Sequence, residues 1–430
     1  MLALLFVSLF VMLFMGAPVY VALSFSSLIV LIVGGEISPM VAAQRAFAGI
    51  DKFALLAMPL FIFAAELMKT SGLAKRLLDF SNSAIGFMRG GMALTTQLAC
   101  MFFGALSGSS PATVAAIGGL MYPELTEKGY DKNFSLGLVC TSGAVALLIP
   151  PSVLLIIYGS VTGASVGALF IGGIGAGLAM GAVVLIYSYY HAVKSGRKAD
   201  SKFSIAEIKR TGKKAAWTLG VPIIILGGIY AGIFTPTESA AVATVYTIFV
   251  GMIIYKDTKI SDIIRTAKDT TASLASVMLV VASASIFGWV LTVYEAPQMI
   301  TESLLGGGNI SQFHFWMVSN VLFLIAGMFM DGVAAITIMA PLIYPVAMSL
   351  GINPIHLGVV ITANLAIGQY TPPFGLNLFV ASSMTKKPMT ELIPAIVPFV
   401  GITILILLVI TYVPDVSMYL VKAVYPEMFK

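Results

Sequence analysis

A short serine-rich segment, Ser107-Gly108-Ser109-Ser110-Pro111, is the most polar stretch inside any apolar region of the chain. Serine hydroxyls and carbonyls freed by an irregular backbone can ligate a hard cation, and exposed backbone N–H groups can bind an anion. The alternative is a plain turn, with Ser110 as the N-cap of a helix and Pro111 as its first residue. We favour a binding function because polar groups at membrane depth are tolerated only where they are buried or line a cavity.

A single carboxylate, Asp331, lies at the centre of the long apolar stretch 315–347 and is followed by Gly332. A charge in the middle of a membrane costs about 2.5–3.5 kcal/mol on insertion scales. Asp331 has an alternative role as the cap of the helix segment that follows, but Ser or Asn would fill that role at lower cost. We therefore predict that Asp331 contacts an ion or a substrate.

Two proline pairs, Pro150-Pro151 and Pro372-Pro373, each lie in the middle of a long apolar run. Each pair removes two helix donors and releases carbonyl groups one turn earlier, so we expect the helix to unwind there. A simple kink is the alternative. Because the pair occurs twice, we favour two related cation sites of carbonyl and hydroxyl oxygens, which suit sodium rather than a softer transition metal. The residues beside the breaks are Gly143, Asn364 and Gly368.

Composition indicates what kind of protein holds these residues. Of the 430 residues, 59% are hydrophobic and 10% are charged, whereas globular proteins carry about 25% charged residues. A water-soluble enzyme of this size is excluded, because it needs many more charges on its surface. Long continuous apolar runs favour a polytopic helical membrane protein over a β-barrel. The net charge of +5 comes from short basic loops, which indicates membrane topology and no nucleic-acid partner.

The positions of the basic residues predict the topology. Apolar runs of about 20 residues indicate ten crossings, and the stretches 91–123 and 315–347 are broken in the middle by polar residues. If both broken stretches are re-entrant hairpins and the N-terminus is periplasmic, 20 of the 24 basic residues face the cytoplasm. Full spans would scatter these charges, so the hairpin topology is favoured. The four basic residues on the other side are Arg45, Lys52, Lys422 and Lys430.

Several motifs recur in order along the chain. Tyr122-Pro123, Leu136-Gly137 and the first proline pair recur 221 or 222 residues later, and Pro18 matches Pro236 at a similar spacing. Each copy holds five crossings and one hairpin, and the odd number inverts the second copy, as in secondary transporters. We predict an all-α membrane protein of two inverted repeats. Its parts are repeat 1 over 1–193 (scaffold helices 1–68, hairpin 91–123, broken helix 134–160), a basic cytoplasmic linker over 194–216, and repeat 2 over 217–430 (hairpin 315–347, broken helix 357–382).

An intramembrane serine hydrolase acting through Ser107 or Ser109 is the competing class of function. Such an enzyme needs a base beside its nucleophile. His191, His314 and His356 fall near predicted span ends and not in a span centre. We therefore predict a transporter and no enzyme.

The segment Gly232-Ile-Phe-Thr-Pro-Thr-Glu-Ser239, together with the serine-rich tip and the two Pro-Pro helices, resembles a known family. Over essentially its whole length the chain is similar to the large membrane subunit of TRAP (tripartite ATP-independent periplasmic) transporters, most of all to the sialic-acid type. The resemblance implies a sodium-driven importer of the ion-transporter superfold. Its hairpins and broken helices would move as an elevator against a scaffold.

The resemblance also implies location, partners and substrate. The chain would lie in the bacterial inner membrane and work with a separate small four-helix membrane subunit and a periplasmic substrate-binding protein, without a cofactor. The substrate would be a small organic anion, with sialic acid (N-acetylneuraminate) favoured. The alternatives are C4-dicarboxylates or other carboxylates, or a stand-alone sodium:anion symporter of similar fold.

The family's sites map onto the two hairpins and the two broken helices of this sequence. The sodium-binding candidates are Ser107, Gly108, Ser109, Ser110, Gly143, Pro150, Asp331, Gly332, Gly368 and Thr371. The substrate-binding candidates are Ser107, Pro151, Ser152, Asp331, Asn364 and Pro373.

Overall fold

A computed structural model describes residues 1–35, 37–296, 299 and 311–429, and over these residues the chain is built of helices. The helices of the first half are α1 (Leu2–Phe14), α2 (Val19–Gly34), α3 (Met40–Ile50), α4 (Ala57–Thr70), α5 (Leu73–Ile85), α6 (Gly91–Ser107), α7 (Ser110–Thr113), α8 (Gly119–Glu127), α9 (Lys132–Val145), α10 (Val153–Thr162) and α11 (Val166–Lys194). Those of the second half are α12 (Ile205–Tyr230), α13 (Pro236–Phe249), α14 (Ile260–Val293), α15 (Gln312–Phe329), α16 (Gly332–Ser349), α17 (Pro354–Gly368), α18 (Leu376–Thr385), α19 (Met389–Tyr412) and α20 (Asp415–Val424).

Both apolar stretches with a polar centre form two helical arms joined by a short break. The arm α6 ends at Ser107 and its partner α7 begins at Ser110, while α15 ends at Phe329 and α16 begins at Gly332. The two boundaries of the first hairpin, at Ser107 and Ser110, thus recur in the second hairpin 222 positions later, at Phe329 and Gly332. In the first hairpin, α7 continues into α8 through a wider π-helical turn over Val114–Gly118, a feature often found at functional sites.

Both proline-paired helices are interrupted. The first unwinds between the end of α9 at Val145 and the start of α10 at Val153, and the second between Gly368 and Leu376. Both Pro–Pro bonds are cis. The predicted fold class, an all-α membrane protein of two inverted repeats with a hairpin and a discontinuous helix in each, is confirmed.

Equivalent side chains start the two broken helices. Asp131 accepts a hydrogen bond from the backbone N–H of Phe134 (2.8 Å), and Asn353 accepts one from that of Ile355 (2.8 Å). Asp and Asn are both strong N-caps because their side-chain oxygens satisfy donors that the first helical turn leaves free. The two caps lie 222 positions apart, so the repeat extends to the residues that begin the helices.

Six helices among the described residues are long and apolar enough to cross a membrane, or seven if the bent pair formed by α3 and the helix over residues 53–69 is one span. The six are Val166–Lys194, Pro236–Ile254, Ile260–Val293, Gln312–Phe329, Gly332–Ser349 and Met389–Tyr412. Two of them are the arms of the second hairpin, and several predicted crossings are shorter or broken helices. The number of crossings and the repeat boundaries therefore stay predictions.

The segment after α11, predicted as a basic linker, packs against the base of the first hairpin. Asp200 accepts hydrogen bonds from the Tyr130 hydroxyl and the Met92 backbone N–H, both at 2.8 Å, and the Arg197 guanidinium lies 3.6 Å from the centre of the Tyr130 ring. Burial, and then the bond to Asp200, raises the pKa of Tyr130, so its hydroxyl stays protonated and can donate. Residues 205–216 belong to α12, so the linker is helical over its second half.

The most completely buried part of the molecule surrounds the two broken helices. Every residue of α17 from Ile355 onward is buried. His356, which we expected near a span end, lies in this core, where its ring nitrogens bond to the Ser417 hydroxyl (2.7 Å) and the Thr411 carbonyl (3.1 Å). It is therefore a satisfied core residue. Both hairpin tips pack against this buried centre, through Gly108 at Pro151 and Gly332 at Leu154.

Candidate functional site

The tips of the two hairpins meet at one cavity of about 300 Å³. The first hairpin contributes residues 107–112, and the second contributes Asp331 and Val333. The last turn of α4 adds two charged residues, Glu66 and Lys69, whose side chains pair at 3.4 Å. The serine-rich segment and the lone carboxylate, which are far apart in sequence, are thus neighbours in the structure.

The first tip is a concentrated set of oxygen atoms. The Ser107 and Thr113 hydroxyls lie 2.9 Å apart, and the Thr113 hydroxyl donates to the Ser109 carbonyl at 2.8 Å. The N-cap of α7 is Ser109 and not Ser110, so the capping alternative was misplaced by one residue. No side chain makes the capping bond there. The Ser109 hydroxyl therefore does not accept a hydrogen bond from the first turn of α7.

Gly108 closes the turn between the two arms. Its φ is +57°, a left-handed conformation that glycine adopts without the steric cost that other residues meet. A Cβ atom at this position would collide with the carbonyl oxygen of Pro151 and would lie 3.4 Å from the Cα of Ser152. The first tip is therefore seated directly on the unwound segment of the first broken helix.

Ser110 and Gly143, which the resemblance places in one sodium site, lie close together in the structure. A Cβ at Gly143 would collide with the Val114 side chain and lie 3.3 Å from the Ser110 carbonyl oxygen. The absence of a side chain at Gly143 therefore lets α9 approach the carbonyl groups of α7 closely. Carbonyl and hydroxyl oxygens are the ligands that hard cations take in proteins.

Asn377, at the start of α18, is a site residue that we did not predict. Its amide donates to the Ser110 hydroxyl (2.7 Å) and to the Cys140 carbonyl (2.9 Å), while its side-chain oxygen accepts from Ser110 (2.9 Å). Asn377 is fully buried. One side chain of the second repeat thus fixes both the tip and the broken helix of the first. Its signal in the sequence was an amide shortly after the second proline pair.

Asp331 combines the two roles that the sequence left open. Its carboxylate accepts a hydrogen bond from the Val333 backbone N–H (3.1 Å) and caps α16, while the residue also lines the cavity and is exposed to it. A carboxylate has about four lone-pair sites, so capping leaves others for a cation. Asp331 occupies the position equivalent to Ser109, the N-cap of the first hairpin.

Gln369 is a second residue that we did not predict. It lines the cavity, is 2% exposed, and its side-chain oxygen has no hydrogen-bond partner among the described residues. A buried carbonyl oxygen without a partner costs free energy, so such a group is informative at a candidate ligand site. Gln369 directly precedes the unwound segment of the second broken helix.

The charged pair Glu66 and Lys69 also escaped the sequence analysis. Both residues lie at the end of an apolar run, where charges usually mark the membrane surface. Their spacing of three residues places them on one face of α4, and that face meets the cavity. Asp331 is therefore one of two acids at the site.

Several predicted residues support the cavity without lining it. The Ser152 hydroxyl accepts from the Leu155 backbone N–H (3.4 Å) as the N-cap of α10, next to Pro150 and Pro151. A Cβ at Gly332 would lie 2.8 Å from a methyl carbon of Leu154, which itself lines the cavity. These residues hold the first broken helix and the second hairpin together.

Other predicted residues lie away from the cavity. Asn364 donates to the Asn320 side chain (2.8 Å) and the Val360 carbonyl (2.9 Å), and its own buried side-chain oxygen has no partner among the described residues. The structure thus gives no support to Asn364 as a substrate contact. Pro373 is exposed outside the cavity, and the Thr371 hydroxyl donates to the Ile367 carbonyl (2.7 Å).

Gly368 serves helix packing at the second broken helix. A Cβ there would lie 2.6 Å from the Cα of Gly327 on α15. Small residues at such crossings let backbones approach closely. Gly327 and Gly368 thus let α15, the first arm of the second hairpin, pack closely against the end of α17, next to Gln369.

We expect Asn377→Ala to lower transport about tenfold and to destabilise the protein by about 2–3 kcal/mol, because it leaves buried partners at Ser110 and Cys140 unsatisfied. Thermal unfolding in detergent and uptake into proteoliposomes measure the two effects. Asn133→Ala, at an exposed position of α9, is the matched control and should leave both unchanged. Wild-type stability and uptake in Asn377→Ala would show that the bridge between the repeats is dispensable.

Residues 6–416 match the family model of the "Tripartite ATP-independent periplasmic transporter, DctM component". The chain belongs to this family. It is therefore a membrane transporter subunit, a large TRAP permease, and one component of a tripartite system. The segment 232–239, the serine-rich tip and the two proline pairs carried this resemblance, and the family assignment is confirmed.

Relatives of this TRAP permease differ in the substrate they are named for. A C4-dicarboxylate TRAP transporter large permease from Vibrio cholerae is 41% identical, covering 97% of each chain. A sialic acid TRAP transporter large permease from the same organism is 34% identical, covering 97% of this chain and 96% of the relative. The crystal structure of the YdaH transporter from Alcanivorax borkumensis has the same fold, with a TM-score of 0.56 at 16% identity and coverage of 86% of each chain.

Proposed function

We propose that this permease subunit imports a small organic anion together with sodium ions, and that the cavity between the two hairpin tips is the site of both. The observation that carries this proposal is the meeting of the serine-rich tip, Asp331 and Gln369 at that cavity. Polar, irregular segments from both repeats converge there, as at the binding sites of secondary transporters.

The donor set around the tips suits sodium. It consists of hydroxyl, carbonyl, amide and carboxylate oxygens at Ser107, Ser109, Thr113, Asp331 and Gln369. Among the described residues, no group of three or more His, Cys, Asp or Glu side chains is placed to hold a metal ion. Hard oxygen ligands favour an alkali or alkaline-earth cation over a transition metal. Following the resemblance, we assign the first sodium site to residues 107–110 with Gly143 and Pro150, and the second to Asp331, Gly332, Gly368 and Thr371. Of these residues, 107–110 and Asp331 line the cavity itself, and the others would act from the segments next to it.

The charges of the cavity give a physical reason for coupling. Glu66 and Asp331 contribute two carboxylates and Lys69 contributes one ammonium group. The net charge of these residues is therefore negative and disfavours an anion. Two sodium ions bound at the tips would make the net charge of the cavity positive. Coulomb interactions in a partly desolvated cavity are several times stronger than in water. An organic anion would thus bind well only after sodium.

The relatives favour C4-dicarboxylates over sialic acid as the substrate class. The relative named for C4-dicarboxylates is 41% identical to this chain, compared with 34% for the relative named for sialic acid. We therefore replace our expectation of sialic acid by a dicarboxylate, whose carboxylate would contact Ser107 and the neighbouring backbone.

We further propose that the permease lies in a bacterial inner membrane with its N-terminus in the periplasm. It would work with a small four-helix membrane subunit and a periplasmic substrate-binding protein. The two hairpins and broken helices would form the moving part, an elevator, and the remaining helices the scaffold. The transport step needs no further cofactor.

Uptake into proteoliposomes tests this function. With the small subunit in the membrane and a dicarboxylate-loaded binding protein outside, we expect accumulation under an inward sodium gradient and none under a matched potassium gradient. Omitting either partner should abolish uptake. Uptake by the large subunit alone would instead identify a stand-alone symporter, and equal rates in sodium and potassium would refute sodium coupling. Sialic acid in place of the dicarboxylate tests the substrate class.

A further inference from the structure

A second cavity lies near the opposite end of α4 from Lys69. Its volume is about 220 Å³, enough for a small organic acid and not only for a water molecule. It is bounded by the segment between α3 and α4 and by α10, α14 and α16. Among the described residues, no Asp or Glu lines it. Its polar residues are Lys52, Ser160, Ser285, Trp289, Thr292 and Thr337.

The two cavities share their helices. On α14, Val277 lines the first cavity and Val281 the second. On α16, Val333 lines the first and Thr337 the second. Four residues are about one helical turn, or about 6 Å along the axis. The second cavity is therefore the next space along the same helices.

The cavities have their basic residues at opposite ends. Lys52 and Lys69 are separated by 17 residues of mostly helical chain, which is about 25 Å and close to the thickness of the membrane interior. The positive-inside pattern predicts that Lys69 faces the cytoplasm and Lys52 the periplasm. The second cavity would thus be the one near the side from which an imported substrate arrives.

One cation, Lys52, lines this cavity, and a second, Arg45, contacts a residue of its wall. The Lys52 ammonium donates to the Ser160 carbonyl at 2.6 Å, which leaves two of its three N–H groups for other partners. Trp289 lines the cavity, and the Arg45 guanidinium lies 5.1 Å from the centre of its ring. Arg45 and Lys52 are two of the four basic residues that the topology places away from the cytoplasm, where basic residues are scarce.

We propose that the second cavity is an anion subsite, in which Lys52 holds a carboxylate group of the organic anion before it reaches the hairpin tips. The identity of this anion rests on the proposed function, whereas the preference of the cavity for anions does not. A phosphate of an anionic lipid shares the same chemistry. The following experiments therefore separate the two sources.

Cysteine labelling measures the charge preference directly. We measure how fast two methanethiosulfonate reagents, the anionic sulfonatoethyl and the cationic trimethylammonioethyl compound, modify Ser285→Cys in phosphatidylcholine nanodiscs. The rate of each reagent is divided by the rate at which the same reagent reacts with free 2-mercaptoethanol. We expect the anionic reagent to be favoured about tenfold, and Lys52→Gln to remove the preference. Ser38→Cys, exposed on the same predicted side, is the control without preference. The buried native Cys100 and Cys140 should give no background.

Equal normalised rates at Ser285→Cys would overturn the proposal. Adding phosphatidylglycerol to the nanodiscs tests the lipid: if it slows both reagents severalfold, the cavity holds a lipid headgroup and the assignment to substrate fails. Unchanged rates support the substrate.

Uptake gives the second measurement. We expect Lys52→Gln to raise the concentration for half-maximal uptake about fivefold or more, with a maximal rate within about twofold of wild type. Lys52→Arg should restore the wild-type concentration for half-maximal uptake. Lys422→Gln makes the same charge change on the same predicted side, at a lysine paired with Asp415, and should have no effect. A lower maximal rate without a change in half-saturation would assign Lys52 a structural role through Ser160. Failure of wild-type uptake would count against the proposed function, and the labelling result would stand separately.

Discussion

Asp331→Ala is expected to lower sodium-driven uptake about 100-fold, which corresponds to about 2.7 kcal/mol. The reason is that Asp331 is the acid of the second hairpin tip that lines the shared cavity. Hydrogen bonds and ion contacts to a charged group contribute about 1.5–3 kcal/mol each, so loss of the carboxylate weakens any cation held there. Initial uptake rates at several sodium concentrations measure the effect.

Asp331→Asn separates the ion contact from the helix cap. Asn is as good an N-cap as Asp, so it can keep the hydrogen bond from the Val333 N–H while removing the charge. We expect Asp331→Asn to unfold at the wild-type temperature and yet to transport as poorly as Asp331→Ala. Near-normal uptake in Asp331→Asn would reduce Asp331 to a capping residue and would contradict its place in the sodium site.

The parts of the site that the sequence predicted are those with an unusual residue for their surroundings. Serines, a glycine and a carboxylate within apolar runs are costly unless they have a purpose, and paired prolines must interrupt a helix. The internal repeat then related Ser109 to Asp331, and both are N-caps of returning arms in the structure. Local cost and internal symmetry were therefore enough to find both tips.

The remaining site residues depend on contacts between distant segments. Asn377 and Gln369 are ordinary amides in sequence, and only the packing of the second repeat on the first gives them partners or a place at the cavity. Glu66 and Lys69 looked like the end of a membrane span. A single sequence contains no distances between such segments, which is why these residues were missed.

Helix boundaries were hard to predict for a different reason. Hydropathy marks the part of a helix that lies in the membrane and not the whole helix. The apolar runs 217–231 and 272–293 predicted two spans, but α12 and α14 begin at Ile205 and Ile260, about a dozen residues earlier. The helices α3 and α5 were missed because each carries charged or polar residues on one face. An amphipathic helix at the edge of a membrane has no continuous apolar run.

Gly108→Ala should be as damaging as the loss of Asp331, but through the backbone. A residue with a Cβ pays about 1–2 kcal/mol for the left-handed conformation that Gly108 adopts, and the new methyl group would also collide with the Pro151 carbonyl. The tip must then separate from the broken helix. We expect a loss of stability of about 3 kcal/mol and uptake near background.

Gly119→Ala, in the same hairpin, is the matched control. Gly119 is helical, its φ is −59°, and a Cβ there would meet no neighbouring atom within 4 Å. Ala in such a helical position stabilises by about 0.5–1 kcal/mol, so this variant should unfold at or above the wild-type temperature and transport normally. If the two variants behaved alike, the close seating of the first tip on Pro151 would not be needed for transport, and the cavity would have to tolerate a displaced tip. A wild-type unfolding temperature in Gly108→Ala combined with lost uptake would instead place the effect in the oxygen ligands of the tip and not in its packing.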